Sequence, residues 1–426
     1  MIRHTASARW IRTALLLLLP LAAGAEPPAA DWPQYRGPHR DGIAPAAPML
    51  AAWPDDGPPR LWSHEIGAGF SGISVSGDNL LTMFAVDADS NEVLVCYDRM
   101  TGMERWRHVV GDLFVEEFGN GPRSTPTIAD GRVFALGATG TLHAVSLGEG
   151  TPLWSVAFPE RFGATTPIRG FAVSPLVDGD LVIMEVGGEV KRDPDPANRV
   201  MQTRLVAFDA ASGEVRWEYL LDPGSLGYCS PLIRDTPHGR EYLFTTSRHI
   251  LALDREGALL WRHETLPGII AMPVLADGGR IFLSSSGDFG CVMLETVREG
   301  DSTVVRELWT SRRMKNTFNS SLIVDGYLYG FNNATLTCMD AATGELAWRK
   351  RGLGKGGLIA ADGHLVIIGD KGTAVLAAAS PEAYVEQGRF QALTGKCWTI
   401  PTLVDGMLYC RSQNELVAYD LRTERR

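Results

Sequence analysis

Three ten-residue segments align without a gap: YDRMTGMERW at 97–106, FDAASGEVRW at 208–217 and MDAATGELAW at 339–348. In each, Gly follows Asp by four residues and Trp follows it by eight, as in Asp98/Gly102/Trp106, Asp209/Gly213/Trp217 and Asp340/Gly344/Trp348. Looser copies end at Trp154 and Trp261. Ahead of each copy stand two short alternating apolar runs, often joined by Asp-Gly as in PTIADGRVFAL, SLIVDGYLYGF and TLVDGMLYCR. Asp-Gly between apolar runs is a hairpin signal, because both residues accept positive φ. The unit therefore reads strand, tight turn, strand, loop, strand, Asp-x-x-x-Gly turn, and a last strand carrying Trp. That is one four-stranded antiparallel blade.

The Trp residues of the last strands, Trp62, Trp106, Trp154, Trp217, Trp261, Trp309 and Trp348, are spaced by 44, 48, 63, 44, 48 and 39 residues, with Phe390 at the eighth place. Repeats of about 40–50 residues suit propeller blades, and the 63-residue step contains the insertion GGEVKRDPDPANRVMQ at 187–202. Trp62 has no first three strands of its own, and the C-terminal segment 398–420 has three strands and stops. The predicted fold is all-β: an eight-bladed β-propeller of four-stranded antiparallel blades, closed by pairing the strand at 61–67 with the C-terminal blade. Closure removes the edge strands that an open array would expose. Each Trp is expected to be a plug between blades.

The N-terminus reads differently. Arg3, Arg9 and Arg12 precede the apolar run 14–23 and a small-residue end at Ala23-Gly24-Ala25, the order of a secretory signal. The run is interrupted by Pro20 and is too short for a ~30 Å hydrocarbon core. The expected division is a signal peptide at 1–25, a leader segment at 26–60 and one propeller domain at 61–426. The expected location is the periplasm or the exterior, with no membrane span and, since no Cys follows the apolar run, no lipid anchor. A formal charge of -10 disfavours nucleic acid as a partner. The six cysteines, Cys96, Cys229, Cys291, Cys338, Cys397 and Cys410, show no adjacent pair and no CxxC, and are expected as buried free thiols.

These repeats resemble the pyrroloquinoline-quinone-type β-propeller repeat family over nearly all of 61–420, and DWPQYRGPHRDG at 31–42 resembles the leader that precedes the propeller in one bacterial branch. The resemblance implies the fold; a site is grafted on a fold and is not implied by it. Quinoprotein alcohol dehydrogenases of this kind hold the quinone with calcium and a pair of adjacent cysteines. No such pair, and no matching set of calcium ligands, stands in this chain. The assembly lipoprotein of the same family has neither cofactor nor catalysis. No cofactor is therefore expected, pyrroloquinoline quinone entering by resemblance alone, and no metal.

No HExxH, GxSxG or CxxC occurs, and the nine His are scattered. The more informative pattern lies in the loops that join the outer strand of one blade to the inner strand of the next, which a closed ring brings to one face. They carry Arg123, Arg169, Lys315, Lys355 and Lys396, about one cation per blade in an acidic protein, with Tyr228, Asn316, Asn319 and Trp398 among them. These nine are the candidate ligand-binding residues. The expected guest is an anion: a small carboxylate, an acidic or sulfated glycan, or an acidic protein partner. The expected function is an exported, non-catalytic scaffold that binds through this axial face; the alternative is a periplasmic quinone-dependent oxidoreductase.

Overall fold

A computed structural model of the chain describes residues 1, 31–86, 90–187, 203–222, 226–423. The proposed signal segment and most of the insertion at 187–202, between the strands Leu181–Val186 and Arg204–Asp209, lie outside them. The described chain forms eight four-stranded antiparallel sheets, each in sequence order from inner to outer strand except the last. That sheet takes its outer strand from the N-terminus: Arg60–Glu65 pairs with Glu415–Asp420, so the first and last strands share one blade and close the ring. We number the blades from 1 (residues 74–112) to 8 (residues 402–420 with 60–65).

The repeat signature owes its form to the contact between blades. The Asp carboxylate caps its own turn: Asp209 Oδ1 accepts the Ala211 and Ser212 N–H groups at 3.0 and 2.9 Å, and Asp340 does the same for Ala342 and Thr343. Gly then takes a left-handed conformation, φ +75° at Gly213 and +73° at Gly344. Its missing side chain is also required by packing, because the Trp of the preceding blade lies against it. A Cβ on Gly213 would sit 2.7 Å from the Trp154 ring, and one on Gly344 2.6 Å from Trp309. The same indoles donate to a carbonyl in the following blade, Trp154 Nε1 to Ala210 O and Trp309 Nε1 to Ala341 O, both at 3.1 Å, as Trp348 Nε1 does to Ser380 O at 2.8 Å. Asp, Gly and Trp thus belong to one joint made between neighbouring blades.

Two positions depart from it for visible reasons. Blade 5 runs its last two strands, Cys291–Glu299 and Ser302–Ser311, as one long hairpin with no Asp-x-x-x-Gly turn. Trp261 of blade 4 donates instead to Glu241 Oε2 at 3.3 Å and lies beneath the Arg234 guanidinium. At Phe390 an indole is supplied from elsewhere: Trp53 of the leader meets the ring edge-on at 5.4 Å, and Gly57 closes over it.

The leader itself is inside the ring. Trp32, 1% exposed, pairs with Val75 in the inner strand of blade 1, Pro33 O accepts the Ile128 N–H in blade 2, and Ile43 bridges Ala360 in blade 7. Arg40 donates to Pro231 O at 2.9 Å and to Ser174 O and Pro175 O; Arg36 donates to Ser321 O at 2.8 Å and to Ser320 O. These partners stand at the inner strands of blades 1, 2, 3, 4, 6 and 7, which surround the axis, so 31–44 fill the central channel as a folded-back plug. Burial lowers both guanidinium pKa values, that of Arg40 to about 9. Residues 50 and 53 then bond to Leu421 and Gln387, binding the plug to the seam where the ring closes. All six cysteines are buried free thiols. No helix among the described residues is long and apolar enough to cross a membrane.

Candidate functional site

Each of the eight connections from an outer strand to the next inner strand contributes to one cavity on the ring axis, of about 410 Å³. The leader forms its floor through Tyr35, so it opens on one face only. The connections lie on this face because every inner strand starts there.

One wall is aromatic. Trp398 has Phe318 at 4.6 Å, Phe70 stacked at 5.4 Å and Phe118 at 6.1 Å between ring centroids, and these four rings come from four different connections. Ile270, Met272 and Ile400 extend the apolar lining. Phe118 and Ile270 remain 42% and 38% exposed, as large apolar groups facing the opening.

Of the nine candidates, Arg123, Arg169, Tyr228, Asn319, Lys355 and Trp398 line the cavity. Lys315, Asn316 and Lys396 do not. Lys315 turns to Asp288 at 2.8 Å, and Asn316 is buried within its own loop, donating to Phe331 O and accepting from Ser321 Oγ. Lys396 donates to Phe118 O and lies 4.5 Å over the Trp398 ring, where it supports the wall from behind.

The cationic character expected of this face is largely cancelled. Arg123 and Arg169 share Glu116, whose two oxygens stand 3.0 Å and 2.7 Å from them, and Arg169 also meets Glu117 at 3.0 Å. Burial alone would raise the Glu116 carboxyl; the Phe118 N–H and the two guanidiniums outweigh it and hold the group below its ordinary range. Arg123 spends its remaining donors on Arg169 O, Gly119 O and Gly121 O, and its plane lies 4.7 Å from Phe114. This cluster orders the loop that carries Phe118. Lys355 differs: it lines the cavity and forms no ion pair with Glu116 or Glu117, while its backbone N–H donates to Asp370 Oδ2 at 3.1 Å.

The aromatic wall was only partly visible beforehand. Phe70 and Trp398 stand out in their loops, but Phe118 and Phe318 sit in polar sequence with no periodicity to mark them, and nothing local places Tyr35 beneath a cavity made 35 to 365 residues later.

A quinone held on calcium would need a matching set of oxygen donors in this lining. Hard cations of that kind need six to eight oxygen ligands, several of them carboxylates. The lining has one carboxylate, Glu116, and guanidiniums engage both of its oxygens. Among the described residues no group of three or more His, Cys, Asp or Glu converges. The residues present do not fit that assembly.

Comparison with known proteins gives a family and a fold. The family model described as outer membrane protein assembly factor BamB matches residues 54–224, 90–350 and 332–426. No curated protein matches by sequence. Among solved structures, BamB from Moraxella catarrhalis superimposes with a TM-score of 0.59 at 16% identity, covering 86% of this chain and 99% of that one. The quinohemoprotein alcohol dehydrogenase from Comamonas testosteroni gives 0.66 at 13% identity, with 93% and 81% covered. A europium-containing methanol dehydrogenase gives 0.66 at 13% identity, with 92% and 89% covered. At these identities the structural likenesses speak for the fold alone.

Proposed function

Since the chain belongs to the outer membrane protein assembly factor BamB family of propeller repeats, we propose that it is an exported, non-catalytic binding scaffold whose axial cavity receives a ligand or a segment of a protein partner. The observation that carries this reading is the makeup of the cavity. Its acid and its two guanidiniums neutralise one another, while four aromatic rings and several aliphatic side chains are left facing the opening. A carboxylate acting as general base must be free to take a proton from substrate, and the one lining carboxylate, Glu116, is already committed to two guanidiniums. An apolar hollow with a few polar groups is, by contrast, the usual form of a binding pocket. The leader serves this function by closing the channel beneath the site and fixing the starts of the inner strands. The guest supported here is mainly apolar, with one anionic group at most, which narrows the broader anion expected from the cation count. Periplasmic or secreted residence belongs to the same proposal and rests on the signal-like order of residues 1–25.

The test uses the full chain expressed in a Gram-negative host. A photo-crosslinking residue is placed at Phe118 or Ile270 on the axial face, and at Leu153 on an outer strand as a control. Discrete adducts at the axial positions and none at Leu153 support the reading; adducts only at Leu153, or none anywhere, overturn it. In parallel, purified protein is mixed with pyrroloquinoline quinone and calcium. Stoichiometric uptake with dye-coupled alcohol oxidation would replace the scaffold by an oxidoreductase.

A further inference from the structure

We infer that the seam between blades 1 and 2 is an acid-sensitive latch on the connection that carries Phe118, released when a hydrogen-bonded pair of imidazoles takes up protons. Control of a guest by this latch rests on the binding role proposed above; the latch itself does not. His108 lies on the outer strand of blade 1, Glu104–Asp112, and His143 on the third strand of blade 2, Thr141–Ser146. Their rings meet edge to face with centroids 5.1 Å apart, and His108 Nε2 stands 3.2 Å from His143 Nδ1. The other nitrogen of His143, Nε2, is 3.1 Å from Val110 O. A carbonyl only accepts, so this Nε2 carries a proton, Nδ1 of the neutral ring is a bare acceptor, and His108 Nε2–H donates to it. Blade 2 thus holds the outer strand of blade 1 at two points through a ring that has to be neutral.

A first proton can settle on His108 Nδ1 without breaking either bond. A second, on His143 Nδ1, turns two N–H groups and two positive charges toward each other. No acid compensates them: Leu94 stands opposite His108, Ala135 and Ser155 stand opposite His143, and Arg107 on the same strand turns to Glu104. Burial lowers both imidazole pKa values, that of His143 to about 4 with the charge of His108 adding to the effect. A released ring titrates near about 6.5, so the latch holds above that pH and weakens as pH falls toward 4. A second titratable group ties the same connection to blade 2. Glu92 accepts the Phe114 N–H at 3.3 Å and the Ala138 N–H at 2.8 Å, and Arg123 is the charged group that acts on it. Its carboxyl, pushed up by burial to about 7, keeps a proton that a released carboxyl gives up above 4.5, so it steadies the seam in acid and opposes the imidazoles. Between these limits release takes up two ring protons and returns one from Glu92. The connection begins just past Val110 and carries Glu116, Phe118 and Arg123 into the lining of the axial cavity, so its release loosens that wall.

Hydrogen exchange read by mass spectrometry on the full chain, corrected for the intrinsic effect of pH, tests this. With one net proton taken up, opening of residues 108–118 should rise about tenfold from pH 6 to pH 5, while the connection 351–356 between blades 6 and 7 should change less than about threefold. His143→Gln can still donate to Val110 O and accept from His108 but takes up no proton, and should bring the rise below about threefold. His108→Gln, which keeps a donor for His143 Nδ1, should flatten it in the same way and decides the matter if the first variant does not fold. Glu92→Gln removes the opposing proton and should steepen the rise. Level exchange across this range in the parent, a rise that both histidine variants retain, or a rise flattened by Glu92→Gln overturns the latch. If the exchange results hold and axial crosslinking fails, the latch stands and the binding role falls; if crosslinking holds and exchange is level, the binding role stands without a latch.

Discussion

Replacing Trp348 by Ala tests whether the joint between blades holds the ring together. The indole is 9% exposed, packs against Tyr329 at 5.9 Å and Tyr384 at 5.7 Å, and donates to Ser380 O at 2.8 Å. Burying a Trp removes roughly 150–250 Å² from water. At about 25 cal/mol/Å² that is about 4–6 kcal/mol, of which an Ala side chain retains a small part. The measured range for such truncations, about 3–5 kcal/mol, agrees. Trp348→Phe keeps most of the ring area and loses the N–H, so it should cost about 1–2 kcal/mol, near the worth of one hydrogen bond plus a small void. Phe390 shows that a Phe can serve at this place when a neighbouring ring fills the remainder. Trp217, less deeply buried, should fall between the two Trp348 variants. The assay is guanidinium denaturation followed by far-UV circular dichroism, with the slope unchanged and the midpoint lowered. Leu220→Ala, at a 60% exposed site on an outer strand, is the control. A Trp348→Ala loss under about 1 kcal/mol, or one no larger than the control's, would refute the joint as the source of stability.

Three other outcomes are expected. Gly213→Ala should destabilise by more than the ~1–2 kcal/mol of a left-handed L residue, because its Cβ would meet Trp154, whereas Gly131→Ala, at φ +72° with nothing nearby, should cost only that strain; equal losses by denaturation would remove the packing argument. Arg40→Met should cost about 3 kcal/mol or more by leaving the carbonyls of Ser174, Pro175 and Pro231 without their donor, and Arg40→Lys should not restore it, since one ammonium cannot span them; a near-native midpoint for either variant would show that the plug does not staple the blades. Burial pushes the Glu185 carboxyl up to about 8 and that of Glu92 to about 7. The folded state therefore holds protons that the unfolded chain releases near 4.5, and stability should fall as pH rises from about 4.5 to 8. Glu185→Gln, which keeps an oxygen for the Gly227 N–H, should remove a few kcal/mol of that fall, and equal pH slopes for variant and parent would contradict it.

How far the sequence reaches depends on whether a feature is local. The blade, its repetition and the need to close the ring follow from hydrophobic alternation, turn chemistry and an unmatched strand at each end. The Asp-x-x-x-Gly-x-x-x-Trp spacing could be read as a turn followed by an outer strand. Why Gly and Trp recur together could not, since the Gly that meets Trp154 is Gly213 of the next repeat, and the two touch only once blades are stacked. Topology also predicted which loops share a face, and six of the nine candidate residues do line one cavity there. Charge was read less well: Arg123, Arg169 and Lys315 look alike in sequence as loop cations, but an ion pair is decided by what lies within 4 Å, and here that is Glu116, Glu117 and Asp288. The leader shows the same limit most fully. WPQYRGPHRDG has the Gly and Pro of a turn and two arginines that would ordinarily seek water. Only the assembled ring, with inner strands presenting carbonyl groups to a narrow channel, offers those guanidiniums enough acceptors to be buried there, and so turns a polar leader into the floor of the site.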